Sequence, residues 1–298
     1  MHKKTLADGW KVSDGCGSHR QGFTIMLKWL SEGLSWRWQI AQRKLYLHSQ
    51  FQNSEELIRS YLARKPCQAA VCRDGTVIRH PNRTGLAQTI LEIWFEQVYT
   101  GAFYCPRPGD TIVDAGANVG LFSLWIARTC PGCRVLAFEA FAENFRLLEA
   151  NLAAGKTCGV EAFPTGLAGK IGFAMMHDGG MRSLDHRLEV LAEARTDKSD
   201  IRTISFSEVI RMAGGAVALF KCDIEGSEYD LFESAEPQDL RAVSRYAIEY
   251  HDILRPGTLD LLRRRLASTH DILTRPARDP GYGMLYATVK SLPSLSWN

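Results

Sequence analysis

From Thr111 onward the chain alternates short apolar runs with amphipathic stretches, and that alternation is the strongest constraint on its fold. Residues 111–113 read as a buried strand, 121–128 as a helix and 134–138 as a strand. A helix over 144–154 follows, with Phe145, Leu148 and Leu152 on one face, then a strand over 160–164. After a less regular stretch, helices at 207–212, 227–234 and 257–267 interleave with strands at 216–222, 246–250 and 284–289. Strands separated by helices cannot pair through tight hairpins, so successive strands run the same way. The expected class is α/β, a Rossmann-like, doubly wound and mostly parallel sheet.

The chain has 298 residues, 45% of them hydrophobic and 23% charged, which excludes a disordered or fibrous protein. Lys and Arg number 36 against 33 Asp and Glu, and a net charge of +3 is too small to point to nucleic acid. No apolar run approaches the roughly 20 residues of a membrane span, so no transmembrane segment is expected. The apolar patch at 23–27 is cut short by Lys28, which argues against a signal peptide and for a cytoplasmic chain. Residues 1–66 read as a helical N-terminal extension and 67–298 as the main domain. Trp29, Trp36 and Trp38 fall in the extension, and Asn53-Ser54-Glu55-Glu56 marks a helix start. Asp74-Gly75 signals a hairpin, and 86–99 an apolar helix. Of eight cysteines, Cys130 and Cys133 form the single CxxC, which closes a helix and leads into a strand. A redox pair sits at a helix start, so a turn is the better reading.

Four stretches carry chemistry. Asp114-Ala115-Gly116-Ala117-Asn118-Val119-Gly120 follows a strand and opens a helix, where a glycine turn lets the backbone approach a ligand. Asn118 stands where a dinucleotide fingerprint has its middle glycine. A carboxylate at Asp114 would repel a pyrophosphate but suit the sulfonium and ammonium of S-adenosylmethionine. Glu139 ends the next strand, where an acid can accept both hydroxyls of a ribose. Phe220-Lys221-Cys222-Asp223-Ile224-Glu225-Gly226-Ser227-Glu228 follows an apolar run. In extended chain Asp223 and Glu225 point to one side, and two close acids raise one pKa toward that of a useful proton acceptor. Glu225 or Glu228 could instead cap the next helix. Ile248-Glu249-Tyr250-His251 ends another strand, and His251 is the best-placed neutral base by residue type.

Together and in order, these stretches resemble the FkbM family of class I S-adenosylmethionine-dependent methyltransferases, with the likeness running from about residue 68 to the end. The resemblance implies a seven-stranded sheet with its last strand antiparallel, and methyl transfer from S-adenosyl-L-methionine, usually to a hydroxyl. It implies that Asp114, Gly116, Asn118 and Gly120 line the methionine side of the cofactor, that Glu139 holds its ribose, and that Asp223 and Glu225 face the reacting centre. Ala140 stands where the family often has proline, and 166–200, where substrate loops lie, matches weakly. That stretch holds the polar run from His177 to Ser183, which reads equally as an acceptor lid or a linker.

The expected function is therefore O-methylation of a sugar, glycolipid or other natural product, with Asp223, then His251, then Glu225 as catalytic candidates. The expected partner is a small-molecule or glycan acceptor, not nucleic acid. A divalent metal could bridge Asp223 and an acceptor diol, but nothing in the sequence requires one. The alternatives are an NAD-dependent oxidoreductase, disfavoured by Asp114 and the missing glycine, and a non-catalytic S-adenosylmethionine-binding module.

Overall fold

The computed structural model of the chain describes residues 21–81, 84–101, 103–177, 187–190 and 201–292, the side chains of 21–35, 175–177 and 187–190 excepted. Helix α1 (Gln21–Gln50) and α2 (Ser54–Ala63) lead into a hairpin, β1 (Ala69–Val71) and β2 (Val77–Arg79). Helix α3 (Leu86–Ile90) widens into a π-helical turn over Leu91–Phe95. The expected helix over 86–99 thus ends early, and Gln97 breaks it with a left-handed φ of 52°.

The alternating unit then follows: β3 (Thr111–Ala115), α4 (Leu121–Thr129), β4 (Arg134–Phe138), α5 (Ala142–Ala154) and β5 (Val160–Phe163). Four short strands come next, β6 (Gly166–Leu167), β7 (Gly172–His177), β8 (Arg187–Val190) and β9 (Ile201–Ile204). The unit resumes with α6 (Phe206–Ala213), β10 (Leu219–Cys222), α7 (Glu228–Glu233), α8 (Pro237–Arg241), β11 (Arg245–His251), α9 (Thr258–Leu266), β12 (His270–Pro276) and β13 (Tyr282–Val289).

Seven strands form one sheet in the order β12-β13-β11-β10-β3-β4-β5. The pairs β11–β10, β10–β3, β3–β4 and β4–β5 are parallel, and β13 runs antiparallel to both β11 and β12. The antiparallel last strand agrees with the expectation. Strand β12 was not anticipated, because its alternation of Ile272 and Thr274 with exposed Asp271 and Leu273 carries no clean apolar run. Strands β6 to β9 form a second, four-stranded sheet where a lid or linker was expected. Most of the polar run 177–183 lies outside the described residues.

Successive residues of a strand face opposite sides, so the sheet has two cores. Ile112 packs with Leu47, Phe51, Leu57, Ile90, Trp94 and Phe122 on one side. Val113 packs with Phe206, Phe220, Phe232, Tyr246 and Leu262 on the other. The end of α1 and α2 therefore share a core with the main domain, and a bridge from Phe51 to Cys72 crosses the 66/67 boundary. Trp36 and Trp38, nearer the start of α1, remain exposed. Cys130 and Cys133 lie buried in the turn between α4 and β4, where burial pushes the Cys133 thiol up to about 12, the reverse of a reactive thiol. No helix among the described residues is long and apolar enough to cross a membrane.

Candidate active site

The strand order reverses at β3, between β4 and β10, and a cleft opens at the carboxyl ends of these strands. Gly116, Asn118, Phe138, Glu139, Asp223 and Glu225 are among the residues that line it.

The glycine turn explains how two strand ends come so close. Gly116 has φ 74°, and a Cβ there would lie 1.7 Å from the Asp223 carbonyl oxygen. Only glycine lets the β3 loop rest on the β10 loop. Gly120, at φ 86°, starts α4, and a Cβ on it would meet Leu148 Cδ1 at 2.5 Å. Asn118 takes the left-handed region at φ 51°, which asparagine tolerates, so the missing middle glycine is replaced in conformation.

Glu139 lies just past β4 and is buried, with Oε2 accepting from Asn118 N at 2.8 Å and Oε1 from Phe141 N at 2.7 Å. Burial dominates and pushes its carboxyl up to about 7, although the two backbone donors pull it down. The bent carboxylate keeps further lone pairs for a diol.

Asp114 does not line the cleft, against expectation. It is fully buried beneath the turn, accepting from Ser123 Oγ at 2.7 Å and ion-paired with Lys221 Nζ at 3.0 Å. Lys221, 4% exposed, also donates to Gly116 O at 2.7 Å and Ala115 O at 3.2 Å. Burial would lower the Lys221 pKa, but the charges of Asp114 and Asp223 outweigh it and raise it. The turn is thus clamped by a buried cation that also cancels Asp114. The electrostatic case against a pyrophosphate therefore does not rest on Asp114. Gly120 likewise shapes the turn without lining the cleft.

Asp223 and Glu225 do share the cleft, but not as neighbours in a strand. β10 ends at Cys222, and the chain turns through Glu225 at φ 52° and Gly226 at φ 94°. Glu228 holds this turn, accepting from Ile224 N at 3.1 Å and Gly226 N at 2.8 Å. Its role is structural, although it braces the preceding loop and does not cap the helix as the alternative had it. Glu225 Oε2 is buried without a hydrogen bond. Burial and the neighbouring Asp223 push the Glu225 carboxyl up to about 9.

His251 is not the neutral base expected from its residue type. Its Nδ1 contacts the fully buried Glu228 at 2.9 Å, and its Nε2 lies 3.4 Å from Glu225 and 3.9 Å from Asp223. Burial would lower its pKa, but the bond to Glu228 and the other acids overcome this and hold it up to about 10. At neutral pH it is an imidazolium with no lone pair to offer. Asp223, Glu225 and His251 each bring one potential ligand atom within 4.8 Å of the others. The imidazolium itself stands between the two acids there.

Sequence reasoning assigned no role to Lys221, Tyr99 or Glu249. The Tyr99 hydroxyl lies 3.2 Å from Asp223 Oδ2 and 3.3 Å from Glu249 Oε2, and its ring covers Lys221 Nζ at 5.3 Å. Lys221 and Glu249 stood inside motifs already singled out, and a buried lysine in an apolar strand was a readable signal. Tyr99 is 124 residues from Asp223, and nothing local connects them.

A seven-stranded sheet in this order, with one antiparallel strand, a glycine turn after its central strand and an acid after the next, defines a class I methyltransferase. The chain belongs to the FkbM methyltransferase family: residues 114–269 match its methyltransferase FkbM domain. Methyltransferase 1 of Beauveria bassiana is 26% identical over 183 residues, covering 54% of this chain and 72% of that protein. The 31-O-demethyl-FK506 methyltransferase FkbM of Streptomyces tacrolimicus is 28% identical over 209 residues, covering 60% and 80%. A solved structure of a putative rRNA-methylase from Clostridium thermocellum superposes with a TM-score of 0.43 at 10% identity, covering 69% of this chain and 95% of that one.

Proposed function

We propose that the cleft binds S-adenosylmethionine and that the chain methylates a hydroxyl of a sugar, glycolipid or other natural-product acceptor. The observation that carries this reading is that Gly116, Asn118 and Glu139 open on the same cleft as Asp223 and Glu225. An acid suited to a ribose diol thus faces the same space as an acid suited to a hydroxyl proton. The residues fit the cofactor. Gly116 lines the cleft with backbone alone, Glu139 is a buried acid with spare lone pairs, and Asp223 is a carboxylate suited to a cationic centre. When bound, S-adenosylmethionine supplies a methyl group activated by its sulfonium.

Asp223 is the proton acceptor in this reading. It borders the cleft and is more exposed than Glu225 or His251, with 27% of its side chain accessible. His251 is a fixed positive charge behind it, and Glu225, holding a proton, orients the acceptor by donating to it. Glu139 holds the ribose, while Lys221 and Asp114 keep the turn in place beneath. Most of the rate gain comes from holding two reactants in line. The name of the Streptomyces tacrolimicus relative supports an oxygen acceptor. A net charge of only +3 offers little basic surface for a polyphosphate, which favours a small molecule or glycan over nucleic acid.

The test is transfer of a labelled methyl group to a panel of sugars, glycolipids and macrocyclic alcohols. Wild type should label a hydroxyl, and Asp223→Asn should lower kcat by about 10²-fold or more while still binding cofactor. An Asp223→Asn variant as fast as wild type would remove Asp223 as base. Labelling of nitrogen or of nucleic acid alone would overturn the acceptor class.

A further inference from the structure

Tyr99 has one hydroxyl proton and two carboxyl neighbours, Asp223 Oδ2 at 3.2 Å and Glu249 Oε2 at 3.3 Å. One proton cannot be aimed along both lines. Whichever acid it misses faces the lone pairs of the phenol oxygen, a repulsive contact unless that acid carries a proton of its own. Tyr99 is 6% exposed, so water does not relieve the conflict.

The surrounding charges decide which acid is protonated. Asp223 has His251 Nε2 at 3.9 Å from Oδ1, and Lys221, beneath the Tyr99 ring, also faces it. Glu249, on β11, faces Asp223 as the leading like charge, with His251 opposing it, and the half-buried Glu92 as a second like charge, with Lys221 opposing that. Tyr286, on β13, also faces Glu249, and its hydroxyl is committed to Val98 O at 2.8 Å. Burial and Asp223 accordingly push the Glu249 carboxyl up to about 8.

We propose that Glu249 holds a proton and donates it to Tyr99, which in turn donates its own to Asp223, making Tyr99 and Glu249 positioning residues for that acid. The chain fixes Asp223 through Oδ2, stabilises its ionised form and leaves Oδ1 for the incoming hydroxyl. No net proton moves along the chain while it waits. The inference rests on Asp223 being the base, but the proton it places on Glu249 is observable without turnover.

The experiment is infrared spectroscopy of the full chain at pH 7, in the carbonyl region of protonated carboxyls, on wild type, Glu249→Gln, Glu225→Gln and Tyr99→Phe. Glu249→Gln should remove one band, distinct from the one Glu225→Gln removes. Tyr99→Phe should move the Glu249 band to higher frequency, because its hydrogen-bond partner is gone. In turnover, Tyr99→Phe should lower kcat by about ten- to a hundred-fold, the loss of a bond to a charged group. It should shift the acidic limb of kcat/KM to higher pH and change cofactor Kd far less. A carbonyl region unchanged by Glu249→Gln would overturn the proposal, leaving a shared bond to two ionised acids. An acidic limb unmoved in Tyr99→Phe would do the same. Should Glu249→Gln fail to fold, the response of wild-type bands to Tyr99→Phe decides alone. Absence of methyl transfer with the bands behaving as described would remove the O-methyltransferase reading and leave the hydrogen-bond chain standing.

Discussion

Replacing Lys221 by methionine keeps the bulk of the side chain and deletes its charge. The ammonium is 4% exposed and the Asp114 carboxylate it pairs with, 3.0 Å away, is fully buried. Removing one partner of such a pair strands the other, at a cost of about 3–5 kcal/mol. Unfolding entropy of about 2.1 cal/mol/K per residue gives about 0.6 kcal/mol/K for a chain of this length, so Tm should fall by about 5–8 °C. Asp114→Asn removes the stranded charge, so the double variant should recover about 2 kcal/mol or more relative to the sum of the single losses. The Lys221 pKa is raised, so its stabilisation is complete below the unfolded value of about 10.4 and lost only as pH rises through the folded one. Denaturant melts and calorimetry of the four proteins check this cycle. Strictly additive losses, or a single variant within about 1 kcal/mol of wild type, would show that the pair is not the clamp described.

Gly116→Ala forces a side chain into the Asp223 carbonyl at 1.7 Å, so cofactor binding by calorimetry should be lost and Tm lowered. The same change at the exposed, unhindered Gly75 is the control for its positive φ. Glu139 is protonated more readily folded than unfolded, so its contribution to the unliganded protein is present at low pH and lost as pH rises through about 7. A ribose diol needs the ionised form, so affinity for S-adenosylmethionine should rise with pH across the same range, and Glu139→Gln should flatten that rise. His251→Gln should lower Tm, because Glu228 loses its buried partner, yet keep the acidic limb of the kcat profile. Disappearance of that limb would make His251 the base after all.

The α/β class was legible because β3, β4 and β10 are almost continuous buried runs and the helices between them carry apolar faces. The strands around 166–204 were not, since they are only two to six residues long and sit among glycines and charged residues. At the site, Gly116, Asn118, Glu139, Asp223 and Glu225 were legible from type and position, and all line one cleft. Asp114 and His251 were misread for one reason. Sequence motifs show which charges are present, not which neighbour neutralises them. Asp114 is cancelled by Lys221, its partner on the neighbouring strand β10, and His251 is charged by Glu228. Tyr99 was invisible because its partners arrive only through tertiary packing.

The most direct test is calorimetric titration of the purified chain with S-adenosylmethionine and, separately, with NAD, using Glu139→Ala as control. Binding of S-adenosylmethionine that is lost in Glu139→Ala and absent for NAD is the predicted result. Binding of NAD in place of S-adenosylmethionine, or S-adenosylmethionine binding indifferent to Glu139, would contradict the assignment of this cleft.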